Sequence, residues 1–371
     1  MSELHLVSVA VDAPLQQAFT YSVPKGMELR IGSAVKVPFG KRLSFGVVLG
    51  PAPRAPTEGG VETSKSHFEI KNIASVESDF PPLDKPTLSW LKWLSAYYLH
   101  PIGQVFSLAF PPLAKAEPRK SKRSPVVPTM TSSVAPTPSE EQRRCIDSIS
   151  SGEGFASHLI FGVTGSGKTE IYLKLLEKTL LEGKQGLVLV PEISLTPQLV
   201  QRFAARFGPQ IAVYHSQLTE REKTTQWWEM VERKKSFLIG ARSALFCPIP
   251  DLALIVVDEE HEPSFKQEEG FKYHARDAAV MLAKFKNCPL VLGSATPSLE
   301  TWYNMKEKKY HLHSLSKRAT NQPLPKIIVV DMKNEEKHFG KDRPVWMSKI
   351  LEEKIRVRLA SKEQIALFIN R

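Results

Sequence analysis

Cysteine is scarce in this chain. Cys145, Cys247 and Cys288 are scattered through 371 residues and none belongs to a CxxC pair. Neither a disulfide framework nor a zinc site is expected from such spacing, and a reducing cytoplasm suits it. Long apolar runs are also missing. No stretch approaches the ~18 residues that a membrane-crossing helix needs, and the first residues lack a basic segment leading into an apolar one. Internal repeats are absent. Acidic residues are outnumbered, 39 against 50 Lys and Arg, for a net charge of +11. That excess favours a polyanionic partner, because each neutralised phosphate releases counterions. A basic soluble protein with no such partner is the alternative.

What is present falls into four stretches. Residues 1–112 carry short β-like runs at 4–11, 19–23, 34–38, 45–49 and 68–76, punctuated by Pro24-Lys-Gly26 and Gly40, then a helical pattern at 85–99. This predicts a small β-rich domain. Residues 113–136 are basic and rich in Pro, Ser and Thr, and too poor in apolar residues to offset the entropy of ordering. They read as a flexible linker. From 137 to 347 strand and helix alternate, the pattern of a mainly parallel sheet covered on both faces. Strands are expected at 158–161, 186–190, 211–214, 236–239, 254–257, 290–293 and 326–331, with helices at 139–150, 168–182, 196–207, 219–234, 275–285 and 298–307. Residues 348–371 predict a helix and then a strand at 364–369.

Three strings carry chemistry. Gly162-Val163-Thr164-Gly165-Ser166-Gly167-Lys168-Thr169 lies between an apolar strand and a helix. Its glycines let successive N–H groups turn inward on a phosphate at a helix N-terminus. Lys168 is then placed to neutralise the β and γ phosphates of ATP, and the Thr169 hydroxyl to ligate Mg²⁺. Asp258-Glu-Glu-His261 ends another apolar run. Asp258 is the expected partner of Mg²⁺ and Glu259 the group that polarises an attacking water. His261 is placed for a coupling role, and the third string is Gly293-Ser-Ala-Thr296. In that order the strings describe the first motor lobe of a nucleic-acid-dependent NTPase.

Two features admit two readings each. Ser139-Glu-Glu-Gln142 fits a helix capping box, and the Gln142 amide could equally read an adenine edge, which is the favoured reading. The stretch from Phe265 to Arg276 interleaves aromatics with cations. Base stacking on Phe265, Phe271 or Tyr273, with Lys266, Lys272 and Arg276 on phosphates, is weighed against local packing and preferred. Trp227 and Trp228 read as packing.

These residues resemble the replication-restart helicase family, PriA (primosomal protein N). The likeness includes Val190-Pro-Glu-Ile-Ser-Leu-Thr-Pro-Gln198, Gly240-Ala-Arg-Ser-Ala-Leu-Phe246, the Asp258-Glu-Glu-His string through Tyr273-His-Ala-Arg-Asp277, and Gly293-Ser-Ala-Thr-Pro-Ser298. It implies an α/β RecA-like P-loop lobe behind a β-rich DNA-binding domain, and ATP-dependent 3′-to-5′ unwinding at stalled forks. It also implies primosomal proteins and single-strand-binding protein as partners, and a cytoplasmic, nucleoid-associated location. Residues implied to meet DNA are Phe19, Gly40 and Lys71, in a pocket for a nascent 3′ end, and Arg242 in the motor lobe. Thr20 stands where the family usually has a carboxylate, which implies a weaker acceptor for the 3′ hydroxyl. The ending Leu367-Phe-Ile-Asn-Arg371 is similar to the opening of the family's second lobe. The family's zinc module and second-lobe arginine do not follow, so a truncated form with impaired ATPase activity is expected. The rival reading is a non-enzymatic fork-binding module that holds ATP without turnover.

Overall fold

A computed structural model describes residues 6–52, 70–112, 137–318, 326–333, 344 and 346–369. By its contacts the chain divides into Met1–Asn321 and Gln322–Arg371. The expected linker at 113–136 lies outside the described residues.

The first sheet follows from period-2 alternation. In β1 (Leu6–Val11), Val7, Val9 and Val11 point into one small core, while Ala10 points into another. The strand pairs antiparallel with β2 (Phe19–Ser22) and with β4 (Arg42–Pro51). Next comes β3 (Ala34–Phe39), and β5 (Ser75–Val76) completes the order β2-β1-β4-β3-β5. Of the strand expected over 68–76, residues 68–69 lie outside the described residues, and residues 70–76 hold only β5 and an isolated bridge between Ser22 and Asn72. Helix α1 (Lys85–Tyr97) is capped by Asp84, whose carboxylate accepts from the Thr87 N–H at 2.9 Å. A short helix not expected from the sequence, α2 (Ile102–Ser107), follows it.

The second sheet is parallel throughout, in the order β12-β6-β11-β10-β7-β9-β8. Its strands are β6 (Ser157–Gly162), β7 (Gln185–Leu189), β8 (Ile211–Tyr214), β9 (Phe237–Gly240), β10 (Leu252–Asp258), β11 (Leu290–Ser294) and β12 (Tyr310–Leu315). Alternate residues serve opposite faces: Leu187, Ile255 and Leu292 enter one core, and Val188, Val256 and Val291 the other. Helices α3 (Glu140–Ser150), α4 (Lys168–Leu181) and α5 (Pro197–Phe207) cover the second face. On the first lie α6 (Glu220–Val231) and α7 (Ala275–Lys286), with α8 (Leu299–Lys306) packed nearby through Trp302 and Met305. This layering is the expected one.

The seventh strand is not. Residues 326–331 form no strand and Val329 is 90 % exposed; the edge is built by β12 instead. Residues 364–369 also form no strand, and Phe368 is 96 % exposed. Among the described residues of the second unit, α9 (Lys349–Ala360) alone is regular, capped by Ser348.

The two sheets of the first unit share a core. Ala10, Ala34 and Val47 of the small sheet join Trp90, Phe106 and Phe110, which continue into Trp227, Phe246 and Ile255. Phe80 stacks on Trp228 at 5.7 Å and meets Trp227 edge-on at 5.9 Å. Both tryptophans are indeed packing residues. The buried indoles also bond across the joint, Trp90 Nε1 to Ala278 O at 2.9 Å and Trp227 Nε1 to Ala109 O at 3.0 Å. Directional bonds inside an apolar joint fix its register, because a slip would leave them unmade.

Candidate nucleotide site and DNA-facing residues

The parallel sheet brings the three strings together at the carboxyl ends of its strands, where ligands bind open α/β sheets. Gly162 ends β6 and Lys168 opens α4. Between them Gly165 (φ 81°) and Gly167 (φ 85°) adopt left-handed backbone that side chains disfavour. Lys168 is buried, and its Nζ donates to Gly162 O at 3.0 Å and lies 3.7 Å from Glu259 Oε1. Beside it opens a cavity of about 700 Å³, lined by Gln142, Thr164 to Glu170, Arg202, Arg206, Asp258 and Glu259. That is the size of an ordinary small-molecule site.

The register pairs Asp258 with Gly293, so the second and third strings are neighbours. Burial foremost, and then the adjacent Glu259 charge, raise the Asp258 carboxyl above the ordinary aspartate value, against a Tyr172 hydrogen bond and Lys168. A divalent cation would relieve that strain. The buried Ser166 hydroxyl has no hydrogen-bond partner. An orphaned donor in the phosphate loop, beside two carboxylates, fits a Mg²⁺-nucleotide. Among the described residues no cluster of three His, Cys, Asp or Glu side chains could hold a metal by itself. All three cysteines are buried, and burial pushes the Cys145 thiol up to about 12. No helix among the described residues is long and apolar enough to cross a membrane.

His261 Nδ1 lies 2.8 Å from Ser294 Oγ, which also accepts from the Thr296 N–H at 3.0 Å. The second and third strings therefore touch through His261. Three positioning residues were not anticipated. Tyr172, one helical turn after Lys168, donates its hydroxyl to Asp258 Oδ1 at 2.9 Å. Gly293 makes room for it, since a β-carbon there would stand 1.6 Å from that hydroxyl. Glu260 is fully buried, and its carboxylate accepts from Arg276 Nη1, the Ser298 N–H and the Thr301 hydroxyl. The i, i+4 spacing of Lys168 and Tyr172 is a usable sequence signal; a buried carboxylate inside an acidic string is not.

Gln142 takes the capping role. Ser139 N–H donates to Gln142 Oε1 at 2.8 Å, and Gln142 Nε2 donates to Ser166 O at 3.1 Å and Gly167 O at 3.4 Å. The amide ties α3 to the phosphate loop instead of presenting both ends to a base.

Burial also corrects the reading of the aromatic-basic stretch. Phe265, Phe271 and Tyr273 are 1, 8 and 6 % exposed, and Phe271 packs on Tyr98, His100 and Phe246. Their faces are spent on the joint with α1 and on the motor core, leaving no platform for a base. Arg276 is buried too, paired with Glu260 and Asp277. Lys266 and Lys272 alone of this group are exposed. Arg242 Nη1 donates to Ser264 O and Lys266 O, so it shapes the loop that carries Lys266.

At the other sheet, Phe19 meets Phe39 edge-on at 5.2 Å, Gly40 (φ 59°) turns β3 into β4, and Lys71 Nζ reaches Gly40 O at 3.5 Å. Lys71 O also accepts from the Ser22 N–H on β2 at 3.0 Å. Phe19, Gly40 and Lys71 thus form one cluster, with Thr20 exposed beside it.

Two family models match: the 3′DNA-binding domain (3′BD) of PriA over residues 8–111, and DEAD/DEAH box helicase over 139–305. The chain is 38 % identical over 351 residues to the replication restart protein PriA of Rickettsia felis, covering 95 % of this chain and 51 % of that protein. PriA of Haemophilus influenzae is 32 % identical over 443 residues, covering 99 % and 59 %, and PriA of Bacillus subtilis 43 % over 253 residues, covering 67 % and 31 %. The chain is similar to an N-terminal part of PriA, through a 3′DNA-binding domain and a DEAD/DEAH box helicase domain. It matches an N-terminal part of those proteins and spans about half the length of the first of these curated relatives. The helicase domain of Pyrococcus furiosus Hef is 21 % identical, covers 50 % of this chain and 39 % of that one, and superposes with a TM-score of 0.38. So low a score carries no weight, and the α/β fold rests on the strand order itself.

Proposed function

We propose that this chain supplies the DNA-end-binding and ATP-binding parts of a 3′-to-5′ replication-restart helicase that recognises stalled forks. The observation that carries the reading is the occurrence of both sites in one compact unit, joined by a buried interface. Lys168 neutralises the β and γ phosphates, and the Thr169 hydroxyl and Asp258 carboxylate hold Mg²⁺. Glu259 takes the proton of the attacking water. Bound ATP supplies the phosphoanhydride bond whose cleavage drives movement. His261 links that site to the Gly293-Ser-Ala-Thr296 string. Lys266 and Lys272 track the DNA backbone, and the Phe19, Gly40 and Lys71 cluster receives a 3′ end. Primosomal proteins and single-strand-binding protein are the partners, in the nucleoid-bearing cytoplasm.

The test uses fork DNA whose nascent strand ends in a 3′ hydroxyl or a 3′ phosphate. A 3′ phosphate adds bulk where the Phe19, Gly40 and Lys71 cluster would receive the terminal hydroxyl, so the whole chain should bind the hydroxyl fork more tightly at fixed salt. Equal affinity for both forks would remove the end-binding role, and Phe19→Ala should abolish the preference.

A further inference from the structure

We infer that Arg318 is the base-recognising residue of the nucleotide site, a role that rests on the nucleotide reading above and gives it a specificity determinant. A second cavity of about 390 Å³ is lined by Ser139, Glu141, Gln142, Ser166, Lys317 and Arg318, among others. Ser139, Gln142 and Ser166 line the first cavity as well, so the two meet at Gln142. Lys168, Asp258 and Glu259 lie only in the first. A nucleoside triphosphate whose phosphates and metal sit there has to lead its base away from them. The second cavity adjoins the first at Ser139, Gln142 and Ser166, away from Lys168, Asp258 and Glu259.

The phosphate loop recognises every nucleoside triphosphate alike, because it offers N–H groups and a lysine to phosphate oxygens. Base discrimination needs another polar group. The Gln142 amide is engaged at both ends by Ser139, Ser166 and Gly167. Arg318 is different. Its Nε–H is buried and has no hydrogen-bond partner. A buried donor left unmade costs stability, which an acceptor on a ligand would recover. The planar guanidinium can also stack on a purine face while it donates in its own plane, which an ammonium cannot do.

Arg318 is also held in place. The Ser316 N–H donates to Glu141 Oε2 at 3.0 Å and the Ser316 hydroxyl to Glu141 Oε1 at 2.5 Å. These bonds pin the end of β12 to the first turn of α3, the turn whose cap is Ser139. The same turn holds the phosphate loop through Gln142. One short helix end therefore fixes the loop that would grip the phosphates and the segment that would grip the base.

The experiment measures, on the 371-residue chain, calorimetric affinities for MgATP and for magnesium tripolyphosphate, which has the phosphates and no base. Arg318→Ala should weaken MgATP at least tenfold and leave tripolyphosphate within twofold, and Arg318→Lys should not restore MgATP. Equal loss of both probes overturns the inference, as does unchanged MgATP affinity or a wild-type chain that binds both probes equally. Lys168→Ala is the control for the phosphate loop. If it weakens neither probe, the nucleotide reading itself fails and takes the role of Arg318 with it.

Discussion

Replacing Glu260 by glutamine keeps the size of the side chain and removes its charge at a point where no water can compensate. The carboxylate is fully buried and Arg276, 3.1 Å away, is 6 % exposed. After the change the guanidinium retains Asp277, 48 % exposed, and Glu300, 3.9 Å away and 71 % exposed. Solvent screens both, so neither replaces the buried partner. Breaking a buried pair from one side costs ~3–5 kcal/mol, most of it the stranded charge. Removing both charges costs far less. Urea unfolding followed by tryptophan fluorescence should therefore show Glu260→Gln destabilised by ~3–5 kcal/mol and Glu260→Gln with Arg276→Met recovering more than half of that. Because Glu260 follows Glu259, whose backbone is left-handed at φ 46°, the single variant should also weaken MgATP binding. A loss under ~1 kcal/mol from Glu260→Gln, or a double variant no better than the single, would refute the clamp.

Other expectations follow from the same geometry. Lys266→Ala and Lys272→Ala should each lower the salt dependence of DNA affinity by about one unit of slope, whereas Phe271→Leu should leave that slope alone and lower stability. Burial, and then the charges of His313 and His311, hold His158 at about 4 against an ordinary 6.5. The unfolded chain takes up this proton below about 6.5 while the fold resists until about 4. Stability should fall across that window by up to ~1.4 kcal/mol per pH unit and level off beneath it, and His158→Gln should flatten the profile. Trp227→Phe keeps a ring in the joint but strands the buried Ala109 carbonyl, so unfolding measurements should show a loss of ~1–3 kcal/mol.

Much of the motor lobe is legible because its signals are local. A glycine-rich string between an apolar run and an amphipathic one has few other meanings, and Ser139, Thr196, Thr219 and Ser298 each announce a helix by capping it. The edge of the sheet is not local. Strand β12 places His311 and His313 where an apolar pattern would be sought, and its partner β6 lies some 150 residues earlier. Residues 326–331 and 364–369 have the stronger β-like composition, yet they pair with no described strand, and composition alone does not make a strand. Interleaved aromatics and cations look the same whether the rings face bases or a neighbouring helix. Only the packing of Phe271 on Tyr98 decides between them. The contacts that tie Arg318 and Glu260 into the site join residues far apart in the chain, Glu141 to Ser316 and Glu260 to Thr301, and no spacing rule connects them.

The most direct test of the central claim is calorimetric titration of the 371-residue chain with MgATP, beside Lys168→Ala. Lys168 is buried between the Gly162 carbonyl and Glu259, in a cavity of fitting size, with no other lysine lining it. The structure therefore predicts one nucleotide per chain and a loss of at least tenfold in affinity on Lys168→Ala, with the fold intact by circular dichroism. Wild-type binding that survives the substitution unchanged would contradict it.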